Sequence, residues 1–139
     1  MLLIQARVQP SPIHGMGLFA VVPIPKGAPV WRFVTGFDQA FSPTQVAAWP
    51  ETAQAHVRWF GFISRETGQI ILSGDTACFM NHAADPNTGA PPDVRLPVTT
   101  VALRDIRAGE EITCDYHAFD DDAERKLGRG DGSAETNLL

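Results

Sequence analysis

Two segments carry most of the candidate chemistry of this chain, FMNHAADPN (residues 79–87) and GEEITCDY (residues 109–116). Asn81 and His82 supply an amide and an imidazole, and Tyr116 is the only tyrosine among the 139 residues. Groups of these kinds can orient a ligand through hydrogen bonds. A structural polar network, or a tyrosine half-buried at a sheet edge, would use the same residue types. Each segment taken alone therefore leaves both interpretations open.

A third segment, IHGMGLFA (residues 13–20), places Gly15 and Gly17 just before a predicted strand. Glycine has no Cβ, so the backbone here could approach a ligand closely. A turn that enters a strand explains the segment equally well. A dinucleotide-binding loop is excluded, because neither a third glycine nor a helix follows.

The elements that must position these segments are short. Twelve glycines and eleven prolines divide the sequence into brief apolar runs, which favours many short strands over long helices. The predicted fold class is mostly β. We expect strands at residues 4–8, 18–21, 30–33, 60–63, 70–72, 99–103 and 111–114.

One helical insert is predicted between the strands. It begins at Ser42, where SPTQ supplies an N-cap serine, a proline at the first helical position and a glutamine at the third. Pro50 should interrupt it, and a second helical stretch should run over residues 51–59. His56 in that stretch is expected to be a surface or half-buried residue, because no partner lies at metal-ligand spacing.

The remaining segments are predicted to be irregular. Residues 87–97 are rich in turn formers and predict a surface loop. From residue 120 the sequence is charged and contains almost no large apolar residue, which predicts a flexible tail over residues 120–139 after a single domain over residues 1–119.

Composition narrows the possible partners and location. The net charge is −5 and the eleven basic residues are scattered, which argues against direct nucleic-acid binding. No apolar run approaches the length of a membrane span, and the stretch from Met1 to Ile4 is too short for a signal-peptide core. Cys78 and Cys114 form no CxxC pair, so neither a disulfide framework nor a zinc site is predicted. We expect a cytoplasmic protein without a metal.

The order of the three segments resembles the SET domain of protein-lysine methyltransferases, in which GxG, NHxxxPN and GEExxxDY recur together. The resemblance covers roughly residues 6–119 and is strongest to the small stand-alone SET proteins of bacteria and viruses. It implies several short β-sheets, a short helical insert and a C-terminal pseudoknot, a threading that is rare among folds.

The resemblance also implies a cofactor and a site. The cofactor would be S-adenosyl-L-methionine, and Tyr116 would be the catalytic residue that aligns the methyl group with the amine of the substrate. Phe119 would stack on the adenine. The residues assigned to cofactor binding are Met16, Gly17, Asn81, His82, Tyr116 and Phe119.

The substrate implied by the resemblance is a protein or peptide that carries a lysine, such as a histone-like or other basic protein. A homodimer is compatible with the resemblance. Phe60, Gly61, Phe62 and Cys114 would line the lysine channel together with Trp59, although ordinary packing explains these residues equally well.

The chain departs from the family pattern at three points. Ala84 stands where many members have cysteine, so a zinc-bearing C-terminal cap is not expected. Cys114 stands where relatives usually carry phenylalanine or tyrosine, and its smaller side chain implies room for more than one methyl group on the lysine. Tyrosine is otherwise missing, so phenylalanines would replace the tyrosines that relatives place around the amine.

Two other functions stay open from the sequence. A catalytically silent SET fold could serve as a peptide or partner binding module. A hydrolase could use a serine, or Cys114 with a histidine such as His117, but no GxSxG-like elbow is present.

Overall fold

The computed structural model describes residues 1–91 and 99–128. Within them the mostly β prediction is confirmed. The strands are β1 (Ala6–Pro10), β2 (Met16–Ala20), β3 (Pro29–Arg32), β4 (Gln39–Phe41), β5 (Phe62–Ile63), β6 (Ile70–Leu72), β7 (Asn81–His82), β8 (Thr88–Gly89), β9 (Thr99–Ala102) and β10 (Glu111–Cys114). The helices are α1 (Pro43–Ala47), α2 (Glu51–Phe60), α3 (Tyr116–Phe119) and α4 (Ala123–Lys126), and Thr76–Phe79 form a 3-10 helix.

A four-stranded sheet in the order β1-β2-β10-β7 contains all three candidate segments. Strand β10 pairs antiparallel with β2, where Ile112 lies opposite Leu18. On its other side β10 pairs parallel with β7, where Thr113 lies opposite Asn81 and Cys114 opposite His82. Segments that are distant in the sequence therefore lie side by side.

Two three-stranded sheets complete the fold, in the orders β3-β9-β8 and β4-β6-β5. Apolar side chains from all three sheets fill a common core, while a smaller cluster packs helices α1 and α2 against β6. The main core contains Leu18, Ala20, Ile24, Val30, Trp31, Ile71, Met80, Ala102, Ile106, Ile112 and Cys114.

The helical insert forms as predicted at its start. The Ser42 hydroxyl accepts from the Gln45 backbone N–H at 3.1 Å, and the Gln45 side chain accepts from the Ser42 backbone N–H at 2.9 Å, which is a capping box. Pro50 separates the two helices and is the N-cap of α2.

The predicted strand over residues 60–63 is wrong at its first half. Helix α2 continues through Phe60, and the strand begins only at Phe62. The chain passes from helix to strand at Gly61. A glycine is needed there, because a Cβ would lie 2.7 Å from the carbonyl oxygens of Val57 and Ile71.

The predicted surface loop over residues 87–97 is wrong at its start, where Thr88–Gly89 form β8, and residues 92–98 lie outside the described residues. Asn87 and Thr88 are 2% and 0% exposed. The Asn87 side chain accepts from Thr113 N–H at 2.9 Å and donates to the Glu111 carbonyl at 2.7 Å, as a neighbouring strand would do. The asparagine side chain thus continues the ladder of β10, which the turn-rich composition did not reveal.

The first part of the predicted tail is folded. Residues 120–128 are described, and they include helix α4, whose Ala123 is 1% exposed. The buried Asp120 carboxylate explains why this polar segment folds. It accepts hydrogen bonds from backbone N–H groups and from a lysine, which it needs because it is shielded from water. Residues 129–139 lie outside the described residues.

The segment that follows β10 also runs beside β5. Arg65 N–H donates to the Phe119 carbonyl at 3.0 Å, and Asp121 N–H donates to the Ile63 carbonyl at 2.9 Å. These bonds hold the segment against β5 and the residues that follow it. The threading of a pseudoknot stays a prediction.

We expect an Asn87→Ala variant to lose about 2 to 4 kcal/mol of unfolding free energy, because it leaves buried backbone groups of β10 without partners. Urea denaturation measures the change. A Gln39→Ala variant at an exposed position of β4 is the matched control and should stay within about 0.5 kcal/mol of the parent protein. Equal stability of the two variants would contradict this role of Asn87.

Candidate functional site

Tyr116 is held at both ends by the segment that contains β7. It is the first residue of α3, immediately after Asp115, whose side chain caps this helix. Its backbone N–H donates to His82 Nδ1 at 3.2 Å, and its hydroxyl donates to the Met80 carbonyl at 2.7 Å. The phenol therefore has a defined position at the end of β10.

The Tyr116 phenol is also kept neutral. Burial raises its pKa well above the usual value, and the neighbouring Cys114, Asp120 and Cys78 raise it further. A neutral phenol retains its proton for the bond to Met80 and presents its oxygen lone pairs to any group that enters the site.

Tyr116 lies in the wall of a cavity of about 530 Å³. Phe119 packs edge-on against Phe62 with 5.0 Å between ring centroids, and at 6.0 Å from Tyr116. The residues predicted to form a channel all line this cavity, namely Trp59, Phe60, Gly61, Phe62 and Cys114. Trp59 is 61% exposed at the surface. The structure thus brings together every predicted channel residue with Tyr116 and Phe119.

Cys114 contributes a small, uncharged wall to the cavity. Burial raises the pKa of its thiol to about 12, and the nearby Asp115 carboxylate adds to the effect. The thiolate is the nucleophilic form of cysteine, so this side chain is unsuited to the hydrolase alternative.

The predicted cofactor residues of IHGMGLFA and FMNHAADPN lie outside the cavity, on β2 and β7. Met16, Gly17, Asn81 and His82 are not among the residues that line the cavity. His82 connects the two groups, since its ring lies 5.5 Å from that of Tyr116. The two sets of predicted residues are therefore joined through His82, whose ring contacts Tyr116 and accepts from its backbone N–H.

The Asn81 side chain is engaged within the protein. Its amide nitrogen donates to the carbonyls of His14 and Met16 at 3.0 and 3.2 Å, and to Glu111 Oε1 at 2.8 Å. The Ser11 hydroxyl donates to the same carboxylate at 2.8 Å. These bonds fix the loop before β2 against β7 and β10.

Gly17 is required by this network. A Cβ here would overlap the Glu111 carboxylate and would lie 3.0 Å from Ser11 Cβ. Sequence reasoning identified the glycine but missed Ser11 and Glu111, although the second glutamate of GEEITCDY was a visible signal.

Comparison with known proteins agrees with this arrangement. The profile of the SET domain family matches residues 15–117, which is most of the chain and includes GMGLFA and the other two segments. The chain belongs to the SET domain family. The resemblance stated from the sequence is thereby confirmed, and so is the fold of several small sheets.

Solved structures share this SET fold at low sequence identity. One is Chaetomium thermophilum Polycomb Repressive Complex 2 bound to GSK126, at 23% identity and a TM-score of 0.63, with 89% of this chain and 17% of that chain covered. The same complex in an autoinhibited conformation bound to S-adenosylmethionine matches at 22% identity and a TM-score of 0.62, with 89% and 16% covered. A Plasmodium falciparum protein, provisionally assigned as a histone methyltransferase, matches at 16% identity and a TM-score of 0.56, with 83% and 95% covered.

The chain therefore spans about a sixth of the Chaetomium chains that it matches. These structural matches, at such low sequence identity, establish the fold of the chain. Among the described residues, no helix has the length and apolar character needed to cross a membrane.

Two charged residues of the cavity were missed by sequence reasoning, which placed them in a flexible tail. Asp120 is 1% exposed and accepts from the backbone N–H groups of Ile63 and Asp122 at 3.0 and 2.9 Å. Lys126 Nζ donates to Asp120 Oδ2 at 2.7 Å. No signal in the sequence indicated this pair, because Asp120 is the first of three consecutive aspartates.

A group of possible metal ligands lies beside Tyr116, although no metal was predicted. His82, Asp115 and His117 each place a ligand atom within 4.8 Å of the others. Their atoms already have partners in the protein, since His82 Nδ1 accepts from Tyr116 N–H and Asp115 Oδ1 accepts from His117 N–H. These contacts explain the group as a cap for α3.

The ionisation of Tyr116 can be measured without interference from another phenol. Ultraviolet titration of the phenolate should give a midpoint above 10.0, the ordinary pKa of tyrosine, because burial disfavours the charged form. Circular dichroism at each pH confirms that the protein is folded, and a Tyr116→Phe variant supplies the baseline. A midpoint at or below 10.0 in the folded protein would contradict a buried, neutral phenol.

Proposed function

We propose that this SET domain is an S-adenosyl-L-methionine-dependent methyltransferase that acts on the side-chain amine of a lysine in a protein substrate. The observation that carries the proposal is the Tyr116 phenol, which is neutral, fixed to the Met80 carbonyl and set in the wall of an aromatic cavity. Family membership supports the same activity.

The residues present are compatible with the cofactor. A cavity of about 530 Å³ falls in the range of roughly 300 to 1,000 Å³ that small-molecule sites occupy. Tyr116 and Phe119 offer aromatic surfaces to an adenine ring, and the exposed Met16 and the His82 backbone belong to β2 and β7, the two strands that pair with β10. Asn81 would act by positioning the loop backbone, because its amide hydrogens are engaged there.

The cofactor, when bound, supplies a methyl group on a cationic sulfur. The chain itself has to place a neutral amine in line with that methyl group at about 3 Å, and such positioning can contribute roughly 7 to 11 kcal/mol. Positive charge moves from sulfur to nitrogen during transfer. The Tyr116 oxygen and nearby backbone carbonyls present negative ends that suit a cationic transition state.

The apolar wall has a second role. A free lysine has a pKa of about 10.4, so most of it is protonated and unreactive at neutral pH. Phe60, Phe62 and Cys114 contribute side chains that offer an ammonium ion no strong hydrogen-bond acceptor, in a cavity that Asp120 also lines. Desolvation beside these three side chains favours the neutral amine that attacks the methyl group.

The substrate class follows from the same features. The net charge of −5 would assist the approach of a basic segment. The exposed Trp59 at the surface offers an apolar contact for residues that flank the target lysine. Cytoplasmic location, a possible homodimer and the lack of direct nucleic-acid binding stay predictions.

We expect a Tyr116→Phe variant to bind the cofactor with affinity close to that of the parent but to lose about 100-fold or more of its turnover, because the hydroxyl that aligns the reacting groups is gone. Calorimetry measures binding, and transfer of labelled methyl to proteins of a cell lysate measures turnover. The Gln39→Ala variant should match the parent in both. Absence of cofactor binding at millimolar concentration would favour the catalytically silent binding module instead.

The small side chain of Cys114 leads us to expect more than one methyl group on the product lysine. Mass spectrometry of the modified substrate counts the methyl groups. A Cys114→Phe variant should shift the product toward monomethyl-lysine, because the larger ring fills part of the cavity wall. A parent reaction that stops at monomethyl-lysine would refute this expectation.

A further inference from the structure

The cavity contains a lysine of the chain itself. Lys126 belongs to α4, and its side chain lines the same cavity as Tyr116. Its Nζ donates to Asp120 Oδ2 at 2.7 Å and to the Gly61 carbonyl, and it lies over the Tyr116 ring at 6.0 Å from the centroid. The Lys126 side chain is 17% exposed, so its ammonium is drawn inward and away from solvent.

These three contacts form a binding site for the side-chain ammonium of a lysine. A buried carboxylate, a backbone carbonyl and an aromatic face are three groups that attract an ammonium ion. Gly61 is one of the predicted channel residues, and Tyr116 is the predicted catalytic residue. The amine of Lys126 therefore lies in the same cavity as the predicted catalytic residue and one of the predicted channel residues.

The lysine content of the chain makes this placement specific. Only two lysines are present, Lys26 and Lys126. Lys26 is exposed in the turn between β2 and β3, and it is not among the residues that line the cavity. Nine arginines supply the other basic side chains, which are not acceptors for this reaction.

We propose that Lys126 is a site of self-methylation within one molecule, an inference that rests on the proposed function. The Lys126 ammonium first loses a proton to water, which frees the Nζ lone pair. That lone pair forms a bond to the methyl carbon as the carbon–sulfur bond breaks, and the bonding pair stays on sulfur. Methyl-lysine keeps its positive charge, so the product still pairs with Asp120.

Helix α4 allows the small movement that transfer requires. It contains only four residues, and helices this short are not stable on their own. Its position depends on contacts such as the Lys126–Asp120 pair and the buried Ala123. The amine can thus shift within the cavity without unfolding the domain.

A first test needs no cofactor. Limited reductive methylation or acetylation of the purified protein, followed by peptide mass spectrometry, compares the two lysines within one sample. We expect Lys126 to react at least about tenfold more slowly than Lys26, because its ammonium is held by charge-assisted bonds. Equal reactivity of the two lysines would contradict the placement of Lys126 in this binding site.

A second test adds S-adenosyl-L-methionine to the protein with no other substrate. We expect methyl groups on Lys126 and not on Lys26, at a first-order rate that is unchanged over about a tenfold range of protein concentration. A Lys126→Arg variant should lose about tenfold or more of the incorporation, whereas the matched Lys26→Arg control should retain it. Thermal unfolding of both variants verifies that they are folded.

The outcomes separate this inference from the proposed function. Cofactor binding and transfer to a lysate protein, with Lys126 unmodified in the same tube, would overturn self-methylation and leave the methyltransferase intact. Failure to bind the cofactor in calorimetry would overturn the proposed function and the inference with it. Modification of Lys26 alone, or a rate that rises with protein concentration, would also overturn the inference.

Discussion

The parallel pairing of β10 with β7 is the constraint on which the site depends. It places Thr113 opposite Asn81 and Cys114 opposite His82. The next residue but one after β10 is Tyr116, so this register alone determines that the phenol reaches the Met80 carbonyl. A shift by one residue would turn each side chain of β10 to the other face of the sheet and would carry the phenol away from its partner.

Polar side chains reinforce that register from both ends of β10. Asn87 bonds to the backbone on both sides of Ile112, while Glu111 receives the Asn81 amide and the Ser11 hydroxyl. These groups are costly to bury without partners, and each is satisfied only in one arrangement. The motif residues therefore serve the fold as well as the chemistry, and the two roles cannot be separated by inspection of the sequence.

The cavity combines an apolar wall with one buried charge pair. Aromatic rings and the protonated Cys114 lower the polarity around the Tyr116 hydroxyl. Asp120 introduces a carboxylate at the edge of this region, and Lys126 pairs with it. A buried carboxylate without a partner would be strongly destabilising, so the segment after β10 has to fold back over the cavity.

Local features were predictable from the sequence because they depend on a few neighbouring residues. The capping box at Ser42, the interruption at Pro50 and the presence of a lone tyrosine beside NH and GxG segments are of this kind. The strand predicted to begin at Phe60 and the start of the tail predicted from residue 120 were wrong, because long-range contacts overrode local composition. Tertiary structure decided which side chains meet, since the pairing of distant strands places Tyr116 against Met80 and a buried carboxylate draws Lys126 into the same cavity. Sequence spacing encodes backbone preferences over short distances. Contacts between distant side chains form only when distant segments pack into one core.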